Sequence, residues 1–342
     1  MAQQDNAMPP YIQRGGEVVY APPGVATGVR MYAFLIRADT PHLQRMYNRY
    51  LNDPSGGIVD YEPAGPLIVL NFTTLKQIGA LTPPDNERGY FSENEVAIWS
   101  LGYDSQHDRY STFVPYMFVD QGSAMAMGRE VYGFPKQLGA ITMPTSDERP
   151  DIFRLETPGV EIWGKHEQFT PQHLITVTQT EPDAPPYQND FSSQAHLVAE
   201  IASIMAEDPG VVDAIERGDP ADRLKHAARA AELLASETLP MVFLKQIRDA
   251  ATPLLACFQA IHAADFKVTG YRGAGHLPGE YRIDIADLAN EPFRRELGLP
   301  AGPLTPVGAF WVDFDFELSV GDEIWRADAP PRVAVRVAEP NP

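Results

Sequence analysis

Apolar residues recur at every second position through most of this chain, and that period restricts it to strands with two distinct faces. The clearest run is Phe310, Val312, Phe314, Phe316 and Leu318, which alternate with Trp311, Asp313, Asp315 and Glu317. Similar runs occupy 29–36, 67–75, 96–101, 113–119, 174–177, 241–247, 258–264 and 281–285, with Gly, Pro and Asp between them. Many short strands at turn-punctuated spacing predict an antiparallel barrel or sandwich. With 342 residues the chain has the length for one large domain or two smaller ones. A helix is predicted over 41–51, with Thr40 as N-cap and Pro41 at the first helical position.

The period changes to roughly 3.6 between 190 and 237. Leu197, Ile201, Ile204 and Met205 share one helical face, and Leu224, Ala228, Ala231 and Leu234 form a second stripe. A Pro-rich stretch at 181–186 introduces this helical insertion in a β-rich chain. Twelve acids and four bases lie between Glu181 and Pro240, so much of the formal charge of −19 is concentrated there. The insertion reads as a solvated helical hairpin, with a lid or a subunit contact as the alternative.

Charge also bounds the partners. With 27 Lys+Arg against 46 Asp+Glu and no Lys/Arg-rich run, neither nucleic acid nor an anionic membrane is a natural partner. No apolar run approaches the roughly 18 to 20 residues that span a bilayer. Residues 1–16 are polar and carry no signal-peptide pattern, so the expected location is cytoplasmic. The single cysteine, Cys257, rules out an internal disulfide framework and a cysteine zinc cluster. Its apolar run at 254–261 predicts a buried, inert thiol.

Several motifs fail on spacing. His166-Glu167 lacks the second histidine of a zinc-binding helix, and no Walker loop or Gly-x-Ser-x-Gly elbow occurs. Gly273-Ala274-Gly275 with Gly279 is followed by Pro278 and a strand, which fits a hairpin loop and not a dinucleotide turn.

The most informative stretch is Gly128-Arg129-Glu130-Val131-Tyr132-Gly133-Phe134-Pro135-Lys136-Gln137-Leu138-Gly139, after the apolar run Ala124-Met125-Ala126-Met127. It sets one lysine among Tyr132, Phe134 and Leu138. A free lysine has a pKa near 10.4, which leaves only about one amine in 2,500 unprotonated at neutral pH. Attack on a carbonyl calls for a pKa nearer 7 to 8, a change of roughly 3 to 5 kcal/mol that desolvation or a nearby cation can supply.

At these residues the chain resembles the acetoacetate decarboxylase superfamily, whose signature reads Gly-Arg-Glu-x-x-x-aromatic-Pro-Lys-x-Leu-Gly. The resemblance extends weakly over about 28–177 and again over about 241–317, leaving the helical insertion outside it. It implies an α+β fold, mainly antiparallel, in which a large barrel- or cone-like β structure encloses the site. It likewise implies a single domain over 1–342 with the helical insertion at 190–237. The family's lysine forms a Schiff base with the substrate ketone, and acetoacetate decarboxylase is itself a standard illustration of such an activated amine. The resemblance assigns that role to Lys136.

Other positions follow by the same carry-over. Phe91-Ser92-Glu93-Asn94-Glu95-Val96 is similar to the turn that bears the family's catalytic glutamate, so Glu93 matches the proton shuttle. If the strand begins early, Glu95 shares a face with Glu93 and Trp99 and is an understudy. Arg30 is the nearest candidate for the family's substrate-binding arginine. Alignment on Arg37-Ala38-Asp39 sets it one residue out of step, which in a strand reverses the face. Gln137 stands where family decarboxylases often place a second lysine, and Asn71 stands where they carry a second glutamate.

The resemblance implies an imine-forming carbon–carbon lyase acting on a small oxo acid, foremost a decarboxylase of a β-oxo acid. An aldolase or dehydratase of a 2-oxo acid uses the same imine and is the alternative, with a non-catalytic β-barrel ligand binder as the reading from another class. No metal and no cofactor is implied, because the protein's own imine supplies the electron sink. Family members assemble, so a homo-oligomer is expected.

Overall fold

The computed structural model describes residues 10–12, 18–146, 149–181, 183–207 and 238–328. Strands dominate: β1 (Gly24–Arg37), β2 (Tyr61–Ala80), β3 (Phe91–Asp104), β4 (Arg109–Val119), β5 (Lys136–Leu138), β6 (Ala140–Thr142) and β7 (Ile152–Gly159). They continue as β8 (Thr170–Gln179), β9 (Thr238–Arg248), β10 (Ala256–His276), β11 (Tyr281–Ile285), β12 (Gly308–Leu318) and β13 (Asp322–Arg326). The alternating runs of the sequence all fall within strands, and β12 coincides with the clearest of them.

Among the described residues nine strands form one mostly antiparallel sheet, in which β12, β1, β2, β3, β4, β9, β10 and β13 follow one another and β5 pairs with β4. A further pairing of β10 with β12 bends this sheet into a ring. The ring is not a closed barrel, and the expected barrel- or cone-like β structure is corrected on that point. A barrel needs one continuous stagger of hydrogen bonds around its girth. Here β4 and β9 meet through only two parallel pairs, Thr112 with Met241 and Phe113 with Val242. Beyond them the same side of β4 takes up β5, at Met117, Phe118 and Val119. The ladders of β10 with β9 and with β12 overlap only at Phe266 and Lys267.

Each face of the sheet covers its own core, so β1 and β2 carry apolar side chains on both sides. On the outer face, Tyr32, Phe34 and Phe72 pack around Phe153 at ring separations of 5.0, 5.4 and 5.2 Å. Phe153 belongs to the second sheet, ordered β11, β8, β7, β6. On the inner face, Val29, Leu75, Ala97, Met117, Phe243, Phe266, Phe310, Val312 and Phe314 fill the ring. Trp311, read as a polar-side residue, is buried in the outer layer against Tyr187.

The predicted helix over 41–51 is α1 (Thr40–Tyr47), capped by Asp39, whose carboxylate accepts the His42 amide, and not by Thr40. It runs on through a π-helical turn at Asn48–Asn52 into α2 (Asp53–Ser55). Among the described residues the other α-helices are α3 (Gly122–Met127), α4 (Gln194–Glu207) and α5 (Phe293–Glu296). Within the insertion, α4 supplies the first predicted stripe through Leu197, Ile201 and Ile204. The second stripe, Leu224 to Leu234, lies outside the described residues. No helix among the described residues is long and apolar enough to cross a membrane.

Two local expectations are corrected. Cys257 is exposed, because the register shift between Ala256 and Phe258 turns it out of the β9–β10 ladder. Gly273-Ala274-Gly275 lies inside β10, where register shifts at 268–270 and 271–273 mark bulges and not a hairpin turn.

Candidate active site

The stretch that carries Lys136 owes its shape to its small and cyclic residues. After α3 the chain makes a π-helical turn over Gly128–Tyr132 and leaves it at Gly133, whose φ of 95° is left-handed. A side chain there would also strike β9, since a Cβ on Gly133 would lie 2.7 Å from Lys245 Cα. Tyr132 pins the turn by donating its hydroxyl to the Ser319 carbonyl at 3.0 Å. Phe134 and Pro135 then extend the chain into β5, where Arg129 Nη1 donates to the Lys136 carbonyl at 3.1 Å.

Lys136 points into the ring and is 5% exposed. Its stem lies on Gly128, where an added Cβ would come within 2.6 Å of Lys136 Cδ. The first glycine of the motif therefore makes room for the lysine itself. The Phe134 ring flanks the amine, 5.8 Å from Nζ to the ring centroid. A small cavity of about 130 Å³ opens at the β4–β9 seam beside Phe134 and Pro135.

The residues facing Lys136 come from register. The pairs Ala33 with Asn71, Asn71 with Ala97, Ala97 with Met117 and Met117 with Lys136 form one row across β1 to β5. Directly paired side chains share a face, and along a strand every second residue does. Glu93, Glu95, Ala97 and Trp99 of β3 therefore all face the interior with Lys136, beside Val69, Asn71, Thr73 and Leu75 of β2. Glu93 and Glu95 are 4% and 7% exposed, and Asn71 is wholly buried.

Lys136 Nζ donates to Glu93 Oε1 at 3.1 Å, and Oε2 stands at 3.4 Å. Two buried carboxyls thus share one cation. Burial raises the Glu93 carboxyl above its ordinary range, with the Lys136 charge opposing. Glu95 is pushed up to about 8, by burial first and then by the charge of Glu93, again against Lys136. At neutral pH Glu95 therefore holds its proton, while Glu93 is the carboxyl hydrogen-bonded to the Lys136 amine. Asn71 takes a hydrogen bond from Thr73 through its Oδ1, while Asn71 Nδ2 and Trp99 Nε1 are buried without a protein partner.

Arg30 is not brought to this group. It pairs with Thr74, which pairs with Asn94, so it lies on the opposite face from Glu93. Its Nε and Nη2 donate to both oxygens of Asp313 at 2.7 and 2.6 Å, and Nη1 donates to the Tyr187 hydroxyl at 3.0 Å. With Lys76 and Arg272 it lines a separate outer cavity of about 190 Å³. Gln137 also faces away from Lys136 and donates to the buried Glu291 at 3.1 Å. Sequence reasoning missed Glu291 and Asp313 as partners, because each is separated from its target by more than a hundred residues and lies in no motif. Among the described residues no group of three or more His, Cys, Asp or Glu is placed to hold a metal ion.

Residues 60–180, which include β3, β4 and β5, match the family model for acetoacetate decarboxylase. The structure is similar to that of acetoacetate decarboxylase from Legionella pneumophila, with a TM-score of 0.59, 14% identity and coverage of 94% of each chain. A second acetoacetate decarboxylase structure gives 0.51 at 16% identity, covering 91% of this chain and 93% of that one. The enduracididine biosynthesis enzyme MppR complexed with pyruvate gives 0.50 at 16% identity, with the same coverage. At these identities the likeness is one of fold. No curated protein matches the chain.

Proposed function

From a chain that belongs to the acetoacetate-decarboxylase-like superfamily, and from its buried amine held at a carboxylate, we propose an imine-forming lyase of small oxo acids. The observation that carries this reading is Lys136 Nζ, enclosed in the ring and 3.1 Å from Glu93. A buried lysine with a carboxyl in hydrogen-bond reach of its amine has the arrangement of a carbonyl nucleophile and its proton-transfer partner.

Lys136 Nζ adds to the substrate ketone, and loss of water leaves a protonated imine. In a β-oxo acid the bond to the carboxylate lies beta to that nitrogen. It breaks with its electron pair flowing into the iminium, giving carbon dioxide and an enamine. Glu93, within reach of the nitrogen, moves protons on and off the amine and the departing oxygen. Glu95, protonated at neutral pH, returns a proton to the enamine carbon. Water then hydrolyses the imine and frees the ketone and Lys136. The same iminium could instead couple a 2-oxo acid to an aldehyde, and the likeness to MppR complexed with pyruvate favours keeping that second reading.

Borohydride reduction in the presence of a panel of β-oxo and 2-oxo acids is expected to leave a mass adduct on Lys136. Carbon dioxide release with a β-oxo acid separates the two reactions. Turnover of pyruvate with an aldehyde, without gas release, would overturn decarboxylation, and no adduct with any acid would overturn the imine.

Arg30 has no part in this scheme. Arg30→Met is expected to lower the melting temperature by a few degrees through loss of its charged hydrogen bonds to Asp313, each of which is worth about 1.5–3 kcal/mol at most. It should leave the KM for oxo acids unchanged. A KM raised by about a hundredfold, the scale of a lost carboxylate clamp, would return Arg30 to the substrate.

A further inference from the structure

Two buried hydrogen-bond donors in the ring face the same space as Lys136 and have no work in the protein. Asn71 is wholly buried and its Oδ1 is taken by Thr73, yet its Nδ2 has no protein partner. Trp99, packed edge-on against Phe266 at 6.1 Å, likewise buries Nε1 without a partner. An orphaned buried donor costs about 1–3 kcal/mol, so a fold that keeps two of them side by side needs a reason. Val69 pairs with Trp99 and Asn71 with Ala97, which makes Asn71 and Trp99 diagonal neighbours on one face. The row from Asn71 through Ala97 and Met117 ends on Lys136. Those three strand spacings are roughly 14 Å between backbones, a span that a lysine side chain and a short substrate fill together.

The charge of the stripe decides what these donors can hold. Its inward residues on β2 and β3 are Val69, Asn71, Thr73, Leu75, Glu93, Glu95, Ala97 and Trp99, with no arginine or lysine among them. The only cation facing them from β5 is Lys136, already matched by Glu93. A carboxylate that stayed in the product would find no further cation on these three strands, and an unpaired buried anion costs several kcal/mol. A carboxylate lost as carbon dioxide needs no such anchor.

We propose that Asn71 Nδ2 and Trp99 Nε1 form a subsite for an uncharged oxygen on the retained part of the substrate, such as a hydroxyl or a ketone, ester or amide carbonyl. This rests on the imine reading above for the position of the reacting carbonyl. The substrate class narrows accordingly to oxo compounds bearing a second, neutral oxygen.

Three ketones test the subsite: 4-hydroxy-2-butanone, with a neutral second oxygen; 2-pentanone, with a methyl group in its place; and levulinate, with a carboxylate that does not leave readily. Binding is read by calorimetry and, separately, by the half-saturation of borohydride trapping on Lys136. The intact protein is expected to take the hydroxyketone at least about tenfold better than 2-pentanone, and levulinate least well. Trp99→Phe and Asn71→Leu, which keep the bulk and remove the donors, should each erase most of that preference while 2-pentanone binds as before. Equal binding of the first two ketones, tightest binding of levulinate, or a preference that survives both substitutions would each overturn the proposal. A calorimetric preference without any adduct on Lys136 would sink the imine reading and leave the subsite standing.

Discussion

Lys136→Met is expected to cut turnover of an oxo acid by about 10⁴-fold or more, the scale of loss when a covalent catalyst is stripped of its nucleophile. Methionine keeps the unbranched stem that lies on Gly128 and beside Phe134, so packing is nearly conserved while the amine is gone. The substitution also leaves Glu93 buried without its cation. An uncompensated buried charge costs on the order of 3–5 kcal/mol, unless Glu93 takes up a proton, a change its burial already favours. A stability loss could therefore be mistaken for the loss of chemistry. The double variant with Glu93→Gln separates the two, because it removes both charges together and is expected to restore the melting temperature with no recovery of turnover. Residual activity within tenfold of the parent would mean that Lys136 is not the nucleophile.

Which parts of this arrangement could be read from sequence follows from the range of the forces involved. Phe310 to Leu318 announces β12 because strand alternation is written locally, one residue in and one out. The same rule already puts Glu93, Glu95 and Trp99 on one face once β3 is allowed to start at Phe91. The lysine stretch was legible for a related reason. Gly128, Gly133 and Pro135 each meet a backbone or packing demand within a few residues of Lys136, so the demands leave a compact signature.

What could not be read depends on register between distant strands. Whether Arg30 faces Lys136 or turns away is a matter of one residue, and the answer is fixed by Asp313, nearly three hundred residues on. The difference between a barrel and an interrupted ring has the same origin. It rests on β4 giving the first part of one edge to β9 and the last part to β5, and neither strand's own pattern records its neighbour. Gln137 illustrates both points. Beside Lys136 in sequence, it suggested a missing cationic neighbour. Alternation along β5 turns it to the outer side, where it meets Glu291, so residue type at 137 bears on the outer layer first.

Glu95→Gln is expected to slow turnover by about 10²-fold, the lower end of what a positioned general acid contributes, and to make the protein more stable. The two effects have one cause. Burial and the neighbouring Glu93 raise the Glu95 carboxyl to about 8, so at neutral pH it carries a proton that it can deliver inside the ring. Its acid form is the useful one, and the rate of the parent should fall as pH rises through about 8. The amide has no proton to lose, so this alkaline limb should vanish from the variant's profile. For stability the sign runs the same way. An unfolded glutamate titrates near 4.3, so between that value and the folded one the native chain holds a proton that the unfolded chain has released. The stabilisation linked to that proton is complete below about pH 4.3 and is lost progressively as the pH rises through the folded value. Melting temperatures of parent and variant should therefore diverge across this window, with the glutamine form increasingly ahead towards pH 8, as expected where function is kept at the expense of stability. A variant with parental rate and an unchanged alkaline limb would remove Glu95 from the chemistry. A variant that is slow but whose stability advantage over the parent is no larger at pH 8 than at pH 5 would show that the carboxyl is not held in its acid form by burial.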